Sequence, residues 1–322
     1  MRAIRFETTG GPEVLQSVEV DTPEPRPGQV RVRHEAIGIN FIDTYHRTGL
    51  YPVKLPCIPG GEAAGVVEAL GDGVTGLKVG DRVAYLGGFG AYAEANVVAA
   101  DRAVKLPEGI DARTAAAILL KGMTTEAFVR RTYPVKAGET VLVHAAVGGV
   151  GQIMTQWLKA IGAEVIATVG STEKAAKARV LGADHVILYR EQDVAAEVRR
   201  ITGGKGVPVA YDSVGKDTFE GTLASLARRG MFVSFGNASG PIPPFAPGRL
   251  AQAGSLYLTR PTLFDYVLAP QELADSAAAV FDMVGSGKVK IEIGQTFPLA
   301  DARQAHEALE GRKTVGASLL IP

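Results

Sequence analysis

The chain carries two patterns of hydrophobic and polar positions, and the change between them falls near Asp111. Before it, short runs rich in β-branched residues are broken by glycine- and proline-rich turns, which is typical of a β-rich domain. The predicted strands are 3–7, 15–20, 29–39, 60–70, 80–85, 92–98 and 102–106. The polar and aromatic segment 40–52 between two of these strands is predicted to be a loop.

Beyond Asp111, helical patterns alternate with apolar runs, and a helix is predicted over 112–132. Strands are predicted at 140–145, 164–169, 185–188, 207–212 and 230–235, separated by helices at 149–161, 173–181, 194–202 and 217–228. This alternation indicates parallel βαβ units. The remaining segments are predicted as a strand at 255–259, a helix at 270–286, a strand at 291–298, a helix at 299–310 and a strand at 317–321. The return to strands suggests that the C-terminus completes the first domain.

The turn after the strand at 140–145 has the pattern of a dinucleotide-binding site. The run GETVLVHAAVGGVG places Ala145, Gly148 and Gly151 between a valine-rich strand and a helix. Glycines allow the backbone to approach a pyrophosphate, and the helix N-terminus offers unpaired N–H groups and a positive dipole end. Because the motif stands between a strand and a helix, as such a site requires, the sequence predicts a bound nucleotide.

The end of the next strand indicates which nucleotide is bound. NAD-specific sites use a carboxylate there to bind the ribose 2′-hydroxyl, whereas this chain reads Val169-Gly170-Ser171-Thr172. Ser171 and Lys174 suit a 2′-phosphate, and Tyr189 with Arg190 lies after the third strand. Glu173 would oppose that phosphate if it turned inward, and Lys174 could instead be a solvated helix charge. We favour NADPH over NADH.

The cysteines, histidines and serine motifs of the chain limit which reactions it could catalyse. The chain has one cysteine, Cys57, and five histidines, none of them at ligand spacing from another, so no metal site is predicted. His144 lies in an apolar strand and is predicted to be a packed core residue. No G-x-S-x-G frame is present. Hydride transfer suits a nucleotide site without a metal or nucleophile, because the cofactor supplies the chemistry.

The segment 40–52 holds the polar and aromatic groups that could meet a substrate. Tyrosine rings can stack on a flat ligand and their hydroxyls can donate to a carbonyl oxygen. The alternative is a surface loop whose tyrosines pack on the other domain. The candidate catalytic residues are Asn40, Asp43, Tyr45 and Tyr51.

Composition limits the partners and the location. The chain has 322 residues, with 34 basic and 34 acidic side chains, which argues against a nucleic-acid surface. There is no run of about 18 apolar residues and no apolar signal segment, so no membrane span is expected. A single cysteine fits a reducing compartment. We expect a cytoplasmic protein.

The chain resembles the zeta-crystallin-like, zinc-free quinone oxidoreductases of the medium-chain dehydrogenase/reductase superfamily over essentially its whole length. The segments that carry the resemblance are GGPEVL (10–15), AIGINFIDTYHRTGLYP (36–52), GGEAAGVV (60–67), GDRV (80–83), LKGMT (120–124), HAAVGGVG (144–151), YDSVG (211–215), SFGNASG (234–240) and SLYLTRP (255–261). Zinc-binding relatives have Gly-His-Glu where this chain has Gly60-Gly61-Glu62, which agrees with a metal-free site. Val147 stands where small residues are usual, but the required glycines are intact.

The resemblance implies an α/β fold: a GroES-like distorted β-barrel catalytic domain (1–120 with 265–322) and a Rossmann doubly wound parallel-sheet domain (121–264) that binds NADPH, with the active site in the cleft. It implies a nicotinamide end at Asn40, Phe41, Ile42, Tyr45 and Thr124, and a pyrophosphate at Gly148, Gly149 and Val150. It places the 2′-phosphate at Gly170, Ser171, Lys174 and Tyr189, and the adenosine near Ser213. The nicotinamide ribose and amide side is assigned to Phe235, Gly236, Asn237, Leu258, Thr259 and Arg260. Arg312 either reaches the cofactor or is an exposed basic turn with Lys313.

The leading hypothesis is reduction of a quinone by NADPH, as a hydride or as single electrons. Reduction of an activated C=C bond in an enal or enone is the nearest alternative, with Tyr45 or Tyr51 as proton donor. A non-catalytic NADPH-binding protein is the third reading. The resemblance also implies a homodimer, with the strand at 255–259 as a candidate edge.

Overall fold

The computed structural model describes residues 1–311 and 313–322. In chain order its strands are β1 (Arg2–Arg5), β2 (Gln16–Glu19), β3 (Gln29–Gly38), β4 (Glu62–Leu70), β5 (Arg82–Leu86), β6 (Ala95–Ala99), β7 (Ala103–Lys105), β8 (Thr140–Val143), β9 (Glu164–Val169), β10 (His185–Leu188), β11 (Val207–Asp212), β12 (Leu226–Ser234), β13 (Tyr257–Thr259), β14 (Ile293–Pro298) and β15 (Ala317–Ile321).

The helices are α1 (Phe41–Thr48), α2 (Ala112–Glu126), α3 (Gly149–Ile161), α4 (Thr172–Val180), α5 (Val194–Ile201), α6 (Phe219–Ser225), α7 (Gly248–Gln252), α8 (Leu263–Tyr266), α9 (Pro270–Gly285) and α10 (Ala302–Glu310). A wider, π-type turn over Ala127–Thr132 follows α2 directly. Short 3₁₀ turns lie at Pro12–Val14, Ala100–Arg102 and Leu299–Asp301.

The described chain forms two compact units. The first comprises Met1–Met123, Val267–Gly285 and Ile291–Pro322, and the second Thr124–Tyr266 with Ser286–Lys290. The predicted limits at 120/121 and 264/265 lie within three residues of these. The segment Ser286–Lys290 groups with the second unit, whereas the prediction placed it in the first.

The first unit is built on a mixed sheet with strand order β14-β15-β3-β4-β5-β7, in which β6 also pairs with β3. Alternate side chains of β3 are buried, as the half-buried pattern of its sequence predicts. The last strand, β15, pairs antiparallel with β3 through Leu319 opposite Gly38. The C-terminus therefore completes this sheet, as predicted. Its core contains Val32, Ile37, Val83 and Leu320.

The second unit is a parallel sheet with strand order β10-β9-β8-β11-β12-β13. Its central strands carry almost unbroken runs of buried residues, as expected of a parallel sheet that is covered on both faces. From β8 the chain first builds outward through β9 and β10 and then continues on the other side with β11. The doubly wound fold class is confirmed.

Some predicted elements are wrong in type or in their limits. The segment 40–52 is not a loop, because Phe41–Thr48 forms α1. Asn40 and Asp43 supply N-terminal capping and Gly49 takes a left-handed φ of 81° at the C-terminus. The helix predicted at 217–228 ends at Ser225, and β12 starts at Leu226 rather than at 230.

Candidate functional site

The turn after β8 has the close backbone packing that a nucleotide site needs. A Cβ at Gly151 would overlap the Ala145 carbonyl oxygen, and one at Gly148 would lie 3.2 Å from that oxygen. Gly148 precedes α3, whose first N–H groups, starting at Gly149 and Val150, have no partner within the helix. The predicted glycine turn therefore fits a pyrophosphate, since side chains at these positions would close the turn.

Most of the predicted cofactor residues of the second unit follow the carboxyl ends of its parallel strands; Thr124, Leu258 and Thr259 do not. Such ends meet at one edge of the sheet, and the order of this sheet reverses between β8 and β11. The predicted residues at this edge are Gly148, Gly149 and Val150 after β8, Gly170, Ser171 and Lys174 after β9, Tyr189 after β10, Ser213 after β11, Phe235, Gly236 and Asn237 after β12, and Arg260 after β13. Leu258 and Thr259 lie within β13 itself.

The group predicted to bind a 2′-phosphate is assembled at the end of β9. Ser171 caps α4, its hydroxyl oxygen accepting from the Lys174 backbone N–H at 3.3 Å. A Cβ at Gly170 would lie 2.6 Å from the Tyr189 hydroxyl oxygen, so the glycine admits the tyrosine ring against the backbone. Glu173 is exposed and Lys174 half-buried. Both a hydroxyl and a cation thus stand at this position.

The ends of β11, β12 and β13 are also joined. A Cβ at Gly236 would overlap the Ser213 carbonyl oxygen, and the Phe235 N–H donates to the Asp212 carbonyl at 2.8 Å. Arg260 donates through Nη1 to the Ser234 carbonyl at 2.9 Å. These contacts bring the predicted Ser213, Gly236 and Arg260 together.

Two residues that the sequence analysis did not propose as site residues support this edge. The buried Asp212 carboxylate accepts from the Val214 N–H at 2.6 Å and from the Thr218 hydroxyl at 2.6 Å. His144 is buried, as predicted, with its Nδ1 3.0 Å from the Thr168 hydroxyl. Burial lowers the pKa of His144. An Asp followed by Ser-x-Gly at a strand end signals a side-chain-stabilised turn, so Asp212 could have been found from sequence.

In the first unit, α1 gathers the aromatic residues of the 40–52 segment. The rings of Phe41 and Tyr45 are 6.2 Å apart, and Tyr51 packs edge-on against Tyr45 at 5.2 Å. His46 lies 5.9 Å from the Tyr51 ring and 4.8 Å from the ring of Phe89, which is 42% exposed. We call Phe41, Tyr45, His46, Tyr51 and Phe89 the aromatic cluster. Neither His46 nor Phe89 was proposed as a site residue from the sequence. Phe89 had no sequence signal, because it is distant from α1 along the chain.

Asn40 is buried at the start of α1, and its side chain is held by groups that the sequence analysis did not propose. Its amide nitrogen donates to Glu62 Oε2 at 2.8 Å. Glu62 is fully buried, accepts from the Leu120 N–H at 2.7 Å and lies 3.4 Å from Lys121 Nζ. The carboxylate in the GGE triplet therefore has internal partners.

Asp43 is placed differently from a substrate-facing acid. Asp43 is buried. Its Oδ2 accepts a hydrogen bond from the Asn40 backbone N–H at 2.9 Å and another from the Tyr92 hydroxyl at 3.0 Å. Burial raises its pKa to about 7, against the opposing effect of these hydrogen bonds. Its assignment as a catalytic residue stays a prediction, and its contacts are those of a residue that orders α1.

The three other residues predicted to contact the cofactor are Ile42, Thr124 and Arg312. Ile42 lies in the first turn of α1 and is half-buried. Thr124 is buried in α2 and is the first residue of the second unit. Arg312 lies outside the described residues.

Among the residues that the structure describes, no group of three histidine, cysteine, aspartate or glutamate side chains could hold a metal ion. Cys57 is buried, and burial raises the pKa of its thiol to about 11. None of the described helices is long and apolar enough to cross a membrane.

Comparison with known proteins places the chain among oxidoreductases. Residues 26–108 match the alcohol dehydrogenase GroES-like domain, and residues 149–279 match the zinc-binding dehydrogenase family. A Pseudomonas aeruginosa quinone oxidoreductase is 51% identical over 323 residues, covering 100% of this chain and 99% of that protein. A Burkholderia 2-haloacrylate reductase is 44% identical, covering 97% of this chain and 96% of that protein. A crystal structure of Escherichia coli quinone oxidoreductase complexed with NADPH has a TM-score of 0.98 at 49% identity, covering 100% of both chains.

Proposed function

We propose a function from one premise: the chain belongs to the quinone oxidoreductases of the medium-chain dehydrogenase/reductase superfamily. The function is NADPH-dependent reduction of a quinone. The observation that carries it is the row of predicted cofactor residues along the carboxyl edge of the parallel sheet, in a chain related over its full length to quinone oxidoreductases.

NADPH, when bound, supplies a hydride equivalent from its nicotinamide ring. The first N–H groups of α3 would hold its pyrophosphate, because the glycine turn leaves them accessible. Ser171 and Lys174 would bind the 2′-phosphate, and Tyr189 would pack beside the adenosine end. Ser213 would lie near the adenosine. The nicotinamide ribose and amide side would be lined by Phe235, Gly236, Asn237, Leu258, Thr259 and Arg260.

The aromatic cluster would receive the acceptor. A quinone is flat and electron-poor, so the rings of Phe41, Tyr45 and Tyr51 suit its faces. The hydroxyl of Tyr45 or Tyr51 could donate a hydrogen bond to a quinone oxygen, where negative charge develops as electrons arrive. These residues bind and orient the acceptor and exclude water, and the cluster contributes no nucleophile.

Independence of a metal ion is part of the proposal. Zinc-binding relatives have a histidine where this chain has Gly61, and a side chain there would meet the Gly88 carbonyl oxygen, 3.1 Å from its Cβ. The neighbouring Glu62 carboxylate already accepts from Asn40 and Leu120. These contacts support a structural use for the triplet.

Reduction of an activated C=C bond is a second candidate, favoured by the full-length similarity to a 2-haloacrylate reductase. A 2-haloacrylate is an activated alkene, and its reduction needs a proton at one carbon in addition to a hydride at the other. Tyr45 and Tyr51 are the hydroxyl groups of the aromatic cluster that could supply that proton.

A steady-state screen tests the proposal. NADPH and NADH are each offered with 1,4-benzoquinone, a naphthoquinone and an enone, with and without a chelator. We expect NADPH to be preferred, the quinones to be reduced fastest, and the chelator to have no effect. Activity on the enone alone would favour alkene reduction. Tight NADPH binding without turnover of any acceptor would favour a non-catalytic role.

A homodimer and a cytoplasmic location complete the proposal. The strand β13 closes one edge of the parallel sheet, and Tyr257 on it is 54% exposed. An exposed edge of this kind can pair with the same edge of a second copy. The single buried cysteine fits a reducing compartment.

A further inference from the structure

A buried chain of hydrogen bonds in the first unit links Arg47 near the end of α1 to Asp43 in its first turn, through His306 of α10 and Tyr92. Arg47 bonds Glu310 at 2.6 Å and His306 Nδ1 at 3.1 Å. His306 Nε2 lies 3.0 Å from the Tyr92 hydroxyl, which lies 3.0 Å from Asp43 Oδ2. Arg47, His306, Tyr92 and Asp43 are each no more than 2% exposed. We call these four residues the buried chain.

The hydrogen bonds of the buried chain can point in one direction only. Arginine donates and never accepts, so His306 must accept at Nδ1 and carry its proton on Nε2. That proton is donated to the Tyr92 oxygen, and the Tyr92 hydroxyl is left to donate to Asp43. Burial and the neighbouring Arg47 lower the pKa of His306 to about 3, which keeps the ring neutral as this order requires.

The buried chain ends where α1 begins. The same Asp43 oxygen accepts from the Asn40 backbone N–H, while the Asn40 side chain donates to Glu62 beside Lys121. Asn40 is thus held through its backbone by one buried carboxylate and through its side chain by another. A change in either would alter where α1 starts, and α1 carries Phe41 and Tyr45.

We propose that Tyr92 and His306 are positioning residues for the reaction. They orient Asp43, and Asp43 fixes the first turn of α1 and with it Phe41 and Tyr45, which the proposed function places against the quinone. The role rests on that proposed function. Reactions that depend on alignment lose rate steeply when reacting groups are displaced, even by residues that never touch the substrate.

The first unit contains a matched control for this role. Tyr85 and His34 form a second buried tyrosine–histidine pair, with the Tyr85 hydroxyl 2.9 Å from His34 Nε2. His34 Nδ1 bonds the Ala93 carbonyl at 2.7 Å. Neither of these two hydrogen bonds involves Asp43 or a residue of α1. Tyr85→Phe therefore removes a comparable buried hydroxyl without altering the buried chain.

The test compares Tyr92→Phe with Tyr85→Phe in the full-length protein. We expect Tyr92→Phe to lower the single-turnover rate of quinone reduction about tenfold, equivalent to the loss of about one well-placed hydrogen bond. Its Kd for NADPH should stay within about twofold, because the residues proposed to bind the pyrophosphate and the adenosine lie in the second unit. Tyr85→Phe should leave both quantities within about twofold of wild type.

A pH profile separates positioning from general damage to the fold. The Tyr92 hydrogen bond lowers the pKa of Asp43, so its loss should raise that pKa. A protonated Asp43 holds Asn40 less firmly, so the acid limb of the rate should move to higher pH in Tyr92→Phe and stay in place in Tyr85→Phe. The titratable groups around Asp43 are Tyr92, Lys121, Glu62 and Cys57, with His306 and Arg47 beyond Tyr92.

A second pair of variants covers the case in which Tyr92→Phe fails to fold. Glutamine can accept from Arg47 and donate to Tyr92, so His306→Gln should keep the rate within about threefold of wild type, whereas His306→Leu should lose about tenfold. Equal rates in Tyr92→Phe and Tyr85→Phe, or equal losses in the two His306 variants, would overturn the positioning role alone. An inactive wild-type protein would overturn the proposed function and this role with it.

Discussion

The residues that follow β8 and β9, where the nucleotide is proposed to bind, are required for different physical reasons. Gly151 must lack a side chain because the Ala145 carbonyl occupies that space, and Gly170 leaves room for the ring of Tyr189. Lys174 is required for its charge. It is half-buried in the first turn of α4, beside the Ser171 cap, and the strand end before it carries no carboxylate. The preference for NADPH should therefore depend on this one cation.

Replacement of Lys174 by alanine tests that assignment. We expect KM for NADPH to rise about tenfold, the usual scale for one charge-assisted contact, while KM for NADH changes little. Arg179→Ala is the control, since Arg179 is an exposed cation at the other end of the same helix. An equal change with both cofactors, or the same effect from Arg179→Ala, would remove Lys174 from the 2′-phosphate site.

At the level of elements, the apolar periodicity was enough to locate the strands and helices of the parallel sheet. The predicted limits of β9, β10, β11 and α3 coincide with those observed, as do those of β15 in the mixed sheet of the first unit. The helix α1 was missed because its polar and aromatic composition resembles a binding loop. Its capping signals, Asn40 with Asp43 and then Gly49, were present in the sequence and describe a helix.

The long-range partners of α1 had no sequence signal. Tyr92 and His306 are 214 positions apart, and tertiary contacts such as the pairing of β15 with β3 bring the C-terminal segment into the first unit. By contrast, the glycine turn and the group of Ser171, Lys174 and Tyr189 could be proposed from the sequence, because they follow strands whose carboxyl ends must reach the same edge of the sheet. The other cofactor residues were assigned by the family resemblance. Local patterns thus indicate where a nucleotide would bind, whereas the groups that hold α1 are brought together by tertiary contacts that no local pattern announces.

We predict that two copies of the chain form a homodimer by pairing along the edge strand β13. If two copies pair along it, light scattering should give the mass of two chains, and Tyr257→Lys should shift the mass toward one chain, because a lysine on an edge opposes pairing. Val180→Lys is the control, since Val180 is an 88% exposed apolar residue elsewhere on the second unit. A wild-type mass of one chain, or dissociation by both variants, would contradict pairing at β13.

For the whole molecule, each of the two units brings a different part of the proposed reaction. The second unit provides a glycine turn, a helix N-terminus and a cation for a phosphorylated dinucleotide. The first provides the aromatic cluster and the buried groups that hold α1. The similarity to quinone oxidoreductases extends through both units, since it covers the full chain. A protein that only bound NADPH would therefore leave the aromatic cluster of the first unit without a role.

The most direct test of NADPH-dependent quinone reduction is a single turnover. The protein, in excess and saturated with NADPH, is mixed with 1,4-naphthoquinone, and nicotinamide absorbance and quinone reduction are followed together. We predict oxidation of NADPH that requires both protein and quinone and persists with a chelator. Firmly bound NADPH that stays reduced after addition of the quinone would contradict the proposed function.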